Sequence, residues 1–72
     1  MPHIKINTYP LTEDQKLKIA DEISKVFQTI AGKSETAISI DIEDVPESEW
    51  MEKVYEPEIK PNLKSLYKKP GY

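Results

Sequence analysis

The chain opens Met1-Pro2-His3-Ile4, and its second residue carries the most distinctive chemistry. A proline nitrogen inside a chain is an amide with no proton and no basic lone pair. Once Met1 is removed the same nitrogen becomes a secondary amine, held rigid by its ring and by any ordered strand that follows. Pro2 is therefore a candidate acid-base group. His3 is the single histidine, and histidine is the side chain that titrates nearest neutrality. In a strand, adjacent side chains point to opposite faces, which turns His3 away from the Pro2 ring and toward the surface or a contact between copies. Trp50 is the lone tryptophan. It is a candidate apolar wall beside an amine, a hydrogen-bond donor through its indole N–H, or an anchor of a core or interface.

The remaining charged residues are less specific. Asp41, Glu43, Asp44, Glu47 and Glu49 form an acid-rich stretch, but no calcium-loop glycine lies among them, and no metal site is expected. Lys5 and Lys33 are the lysines nearest in the chain to Pro2 and to the second strand; most lysines belong to a solvated face.

These residues must be placed by the elements around them. From Pro2 to Thr8 the chain alternates, with Ile4 and Ile6 on one face and His3, Lys5 and Asn7 on the other, as in a half-buried strand. Thr12 followed by Glu13, Asp14 and Gln15 has the spacing of a capping box, and the two acids suit the positive end of a helix. Leu17, Ala20, Ile23, Val26, Phe27 and Ile30 recur at helical spacing, and Gly32 is placed to end the helix near Ala31. From Thr36 the pattern returns to period two, with Ile38, Ile40 and Ile42 opposite Ser39, Asp41 and Glu43, until Val45-Pro46 interrupts it. A turn then presents Trp50. A second helix is expected beyond it, with Pro57 near its first turn or a start between Glu58 and Pro61. Ile59, Leu63, Leu66 and Tyr67 would form its apolar side, and Lys68-Lys69 its end.

Strand, helix and strand in this order make a β-α-β unit with parallel strands and a right-handed crossover. At 72 residues the chain is one domain spanning 1-72, and a chain of this size hides only roughly 60% of its unfolded surface. It has no cysteine to form a disulfide and one histidine, so oligomerisation is the expected source of further stability. The net charge is −3 and arginine is absent, which speaks against a nucleic-acid partner. No apolar run approaches the roughly 20 residues of a membrane span, so no membrane partner is expected and a cytoplasmic location is the simplest reading.

Met1-Pro2-His3-Ile4, Ile38-Ser39-Ile40, Pro46-Glu47-Ser48 with Trp50, Glu58-Ile59, Pro61 and the ending Lys68-Lys69-Pro70-Gly71-Tyr72 occur in an order and spacing that resemble the 4-oxalocrotonate tautomerase superfamily along the whole chain. The resemblance implies an α/β fold: a β-α-β tautomerase protomer of the MIF-like kind, with a short C-terminal helix and a sheet completed by oligomerisation, as a homodimer in preference to a hexamer. It implies a cofactor-independent isomerase in which Pro2, freed of Met1, moves a proton between carbon and oxygen of an enol or keto acid.

Superfamily members that take a dicarboxylate hold it with arginines, and the matching positions here are Leu11 and Ser39. A monocarboxylate of the phenylpyruvate kind suits such a site better, with Pro2 catalytic and Trp50, Ser39 and Leu11 around the substrate. The alternatives are a dehalogenase-like or hydratase-like use of the same amine, and a non-catalytic oligomeric binding module.

Overall fold

The computed structural model describes all 72 residues, Met1–Tyr72. Strand β1 covers His3–Thr8, helix α1 Glu13–Ala31 and strand β2 Ser39–Asp44. The strands are parallel, paired from His3↔Ser39 to Thr8↔Asp44. This is the expected α/β protomer.

The ends of α1 are set by local chemistry. Thr12 Oγ1 accepts from the Gln15 N–H at 3.1 Å, and Gln15 Oε1 accepts from the Thr12 N–H at 2.9 Å, so two donors that the first helical turn leaves free are satisfied reciprocally. At the other end Gly32 takes φ 64°, a left-handed conformation that costs glycine little, and its N–H returns to the Phe27 carbonyl.

The helix meets the sheet through a narrower stripe than its apolar pattern suggests. Ile19, Ala20, Ile23 and Phe27 are half-buried, whereas Leu17, Val26 and Ile30 are 67%, 50% and 82% exposed. At about 100° per residue Leu17 and Val26 lie on opposite flanks, and one two-stranded sheet is too narrow to cover both.

Beyond β2 the chain departs from the expected second helix. Glu47–Glu49 form a 3₁₀ turn, and the helical segment begins at Met51, ahead of Pro57. Met51–Ile59 is wound as a π-helix and Lys60–Asn62 as a 3₁₀ turn. Pro57 supplies no N–H and its ring crowds the preceding turn, so the wider π winding accommodates it, and Pro61 removes a second donor four residues on. The segment ends at Asn62, whose side-chain amide donates to the Glu58 carbonyl at 2.9 Å. Lys68-Lys69 therefore do not close a helix, and Tyr67 is fully exposed where an apolar helix side was expected.

Val45 and Val54 are the only buried residues. The radius of gyration is 13.8 Å, against about 11 Å for a compact domain of this length. A two-stranded sheet open at both edges and a helix with uncovered apolar flanks describe a protomer that is short of core. No helix is long and apolar enough to cross a membrane.

Candidate active site

The candidate residues fall into two groups, one at each end of β1. Pro2 stands just ahead of the strand, half-buried, and its carbonyl accepts the Ser39 N–H at 3.1 Å. Met1 beyond it is 99% exposed. His3 and Ser39 are register partners on the sheet face turned away from α1, and His3 Nδ1 lies 2.7 Å from Ser39 Oγ. Further along that face Lys5 Nζ is shared between Asp41 Oδ2 at 3.4 Å and Glu43 Oε1 at 3.8 Å. Asn7 Nδ2 donates to Glu58 Oε2 at 3.2 Å.

At the far end Trp50 packs against Tyr9 edge to face, ring centroids 5.2 Å apart, and its indole N–H donates to the Tyr72 hydroxyl at 2.9 Å. Tyr72 is flanked in turn by Tyr55 at 5.7 Å. Asn7, Thr8, Tyr9, Trp50 and Tyr72 line an open concavity of about 250 Å³. A larger one, about 350 Å³, lies within the Lys60–Ser65 turn and is walled by that one segment. The sequence marks Tyr9 as a strand end by the proline after it. Nothing local foretells that Tyr72 returns to Trp50, because the two are 22 residues apart.

Leu11 is also at this far end, half-buried, and its N–H donates to Asp44 Oδ1 at 3.2 Å. The other carboxylate oxygen accepts from Lys16 Nζ at 2.8 Å. Asp44 thus ties the end of β2 to the entry of α1. The Lys16 hydrogen bond holds the Asp44 carboxyl below the usual carboxylate range, with the Leu11 N–H adding to the effect and desolvation opposing it. Lys16 is raised in turn, chiefly by its hydrogen bond to Asp44. In the sequence Asp44 is one acid among several, since its partners come from another element.

The two groups do not meet within one chain. From Pro2 to Thr8 a strand rising about 3.3 Å per residue spans roughly 20 Å. Ser39 accompanies Pro2, whereas Leu11 and Trp50 lie toward the Thr8 end with separate partners, Leu11 on Asp44 and Trp50 on Tyr9 and Tyr72.

Comparison with known proteins decides the family. Residues 2–54 match the family described as "Tautomerase enzyme", a span that starts at Pro2 and contains Leu11, Ser39 and Trp50. The chain belongs to the tautomerase family. This tautomerase is 38% identical over 74 residues to a protein named Tautomerase PptA from Pectobacterium carotovorum, all of this chain aligning with 97% of that one. It is 35% identical to Tautomerase PptA of Escherichia coli, again over all of this chain and 97% of the relative. A "Probable tautomerase" of Xylella fastidiosa is 34% identical, covering 100% of this chain and 89% of its own. The tautomerase is accordingly an enzyme, an isomerase.

Proposed function

We propose that the enzyme interconverts keto and enol forms of an α-keto acid bearing one carboxylate, of the phenylpyruvate kind, with Pro2 as the acid-base group after loss of Met1. The observation that carries this reading is the setting of Pro2. Its carbonyl is pinned to β2 by the Ser39 N–H, while Met1 on its other side is 99% exposed. Removing Met1 disturbs no packing and leaves a rigidly mounted amine at the mouth of the sheet.

In the keto-to-enol direction the neutral amine takes the proton from the carbon next to the carbonyl. The C–H electron pair becomes the C=C bond, the carbonyl π pair moves onto oxygen, and the ammonium returns the proton there. An ordinary α-amino group titrates near about 7.7 to 8.0, and desolvation of the ammonium lowers that value toward the working pH, where a proton carrier is most effective.

Trp50 is the proposed desolvating wall, contributed by a second copy. A two-fold axis normal to the sheet pairs edge strands antiparallel. Such pairing sets the Pro2 end of one protomer beside the Trp50 and Leu11 end of its partner. The open edges and exposed Leu17, Val26 and Ile30 support this arrangement, and a homodimer is the smallest assembly that supplies it. The absence of arginine favours one carboxylate over two. The reaction is placed in the cytoplasm as a small-molecule conversion needing no cofactor.

The test is the ultraviolet rate of phenylpyruvate enol-to-keto conversion, on protein whose intact mass shows loss of Met1, with Pro2→Ala alongside. Fast turnover that falls at least about tenfold in the variant is expected. No turnover from correctly processed protein overturns the reading.

A further inference from the structure

We propose that His3, held by Ser39, binds the substrate carboxylate and gives this tautomerase its preference for an acid. The inference rests on the proposed role of Pro2 and deepens it.

Strand alternation sends the His3 side chain to the face opposite the Pro2 ring. The reacting atom of Pro2 is its nitrogen, however, and that atom lies on the strand axis at the very end of the backbone, within reach of groups on either face. A substrate over the nitrogen lies one residue from the imidazole.

The geometry of the pair then matters. Ser39 Oγ sits 2.7 Å from His3 Nδ1 and has no other side-chain partner. With the hydroxyl donating to Nδ1, the remaining proton of a neutral imidazole is on Nε2, which faces outward as a donor. In the imidazolium, Nδ1 donates to Oγ and Nε2 still carries a proton. In that tautomer and in the imidazolium the ring presents an Nε2–H donor, with added positive charge in the second.

The surroundings leave this the open position on the polar sheet face. Lys5 is held by Asp41 and Glu43, and Asn7 by Glu58, so the other cross-face groups already have acids. Among the lysines, 16, 18, 25, 53 and 60 are each paired with a nearby carboxylate. No carboxylate contacts His3. A monocarboxylate ligand completes the His3–Ser39 pair as Asp41 and Glu43 complete Lys5. Lys33, on the connection from α1 to β2, is the rival cation toward this end of the sheet and enters the test.

Because His3 is the only histidine, its ring resonances report the site without assignment work. Processed wild-type protein is titrated with phenylacetate, which carries the carboxylate and ring but is not turned over, and the imidazole is followed by NMR against pH. The charged groups facing His3 are Lys5 on β1, Asp41 and Glu43 on β2, and the terminal amine. A carboxylate seated on the imidazole is expected to give a saturable shift of the resonances and an upward move of the imidazole midpoint.

In parallel, phenylpyruvate is compared with the enol of phenylacetaldehyde, which lacks the carboxylate. His3→Gln and Ser39→Ala should each raise KM for the acid with little change in kcat, lowering the acid-over-aldehyde preference about tenfold for His3→Gln. Ser39→Thr, which keeps the hydroxyl, should restore most of it. His3 resonances unmoved by phenylacetate, or a preference lost in Lys33→Ala and kept in His3→Gln, overturns the proposal. A Pro2→Ala enzyme that retains full turnover while His3 still responds to phenylacetate instead removes the role of Pro2 and leaves the carboxylate site standing.

Discussion

Pro2 and Trp50 stand at opposite ends of β1, one pinned to Ser39 and the other packed edge to face on Tyr9. The strand between these ends, Pro2 to Thr8, spans roughly 20 Å. Any site that uses both draws them from different chains, and this is open to a direct test. Mixed and refolded in equal amounts, Pro2→Ala and Trp50→Ala proteins should recover roughly a quarter of wild-type specific activity. Half of the dimers are then mixed, and each mixed dimer has one of its two sites intact. Activity no higher than the average of the two variants would place both residues' roles in one chain or remove Trp50 from the site.

Trp50 also has an electrostatic consequence. If a partner's indole excludes water from the Pro2 amine, Trp50→Ala lets solvent stabilise the ammonium and raises the kinetic pKa assigned to Pro2. A pH–rate profile is the measurement, and an unchanged profile with normal turnover returns Trp50 to an anchoring role beside Tyr9 and Tyr72.

In the proposed dimer, a protomer whose only buried residues are Val45 and Val54 gains stability from association. The thermal midpoint should therefore rise with protein concentration, since binding of a second folded copy draws the equilibrium toward the native state. A midpoint independent of concentration, with a monomer mass by sedimentation, would contradict the dimeric site.

The Asp44–Lys16 pair predicts a pH dependence with a definite sign. The carboxyl of Asp44 is lowered in the folded chain, so its contribution is complete above the unfolded value of about 3.9 and is lost as pH falls through the folded value. Lys16 is raised, so its contribution holds below 10.5 and is lost as pH climbs through its folded value. Asp44→Asn keeps an acceptor for the Leu11 N–H and removes the charge. It should lower the melting temperature at neutral pH, with the gap to wild type closing in acid. A gap independent of pH would assign the effect to packing.

The capping box is testable by itself. Thr12→Ala removes the acceptor for the Gln15 N–H and should destabilise the fold by about 1 kcal/mol, read from chemical denaturation. Gln15→Ala should cost less, because the threonine hydroxyl still serves the helix end.

The sequence alone determined what rests on neighbours in the chain. Thr12 and Gln15 bound α1 at one end and Gly32 at the other, because free N–H and C=O groups at helix ends are satisfied by residues a few positions away. Alternating isoleucines gave β1 and β2 for the same reason of short range, and the position of Pro2 directly after Met1 is likewise a property of the sequence. The tertiary structure decided what depends on the crossover. Parallel pairing brings Ser39 onto Pro2 and His3, and Asp44 onto Leu11 and Lys16, across separations of 28 to 37 residues that no local pattern encodes. It also decided where the apolar residues of α1 go. Helical spacing places Leu17, Val26 and Ile30 on an apolar surface, but only the width of the sheet beneath determines that they remain uncovered by their own chain. After Trp50, Pro57 and Pro61 forced a π-wound segment in place of the regular helix, since a missing donor is accommodated by whichever winding the surrounding backbone permits.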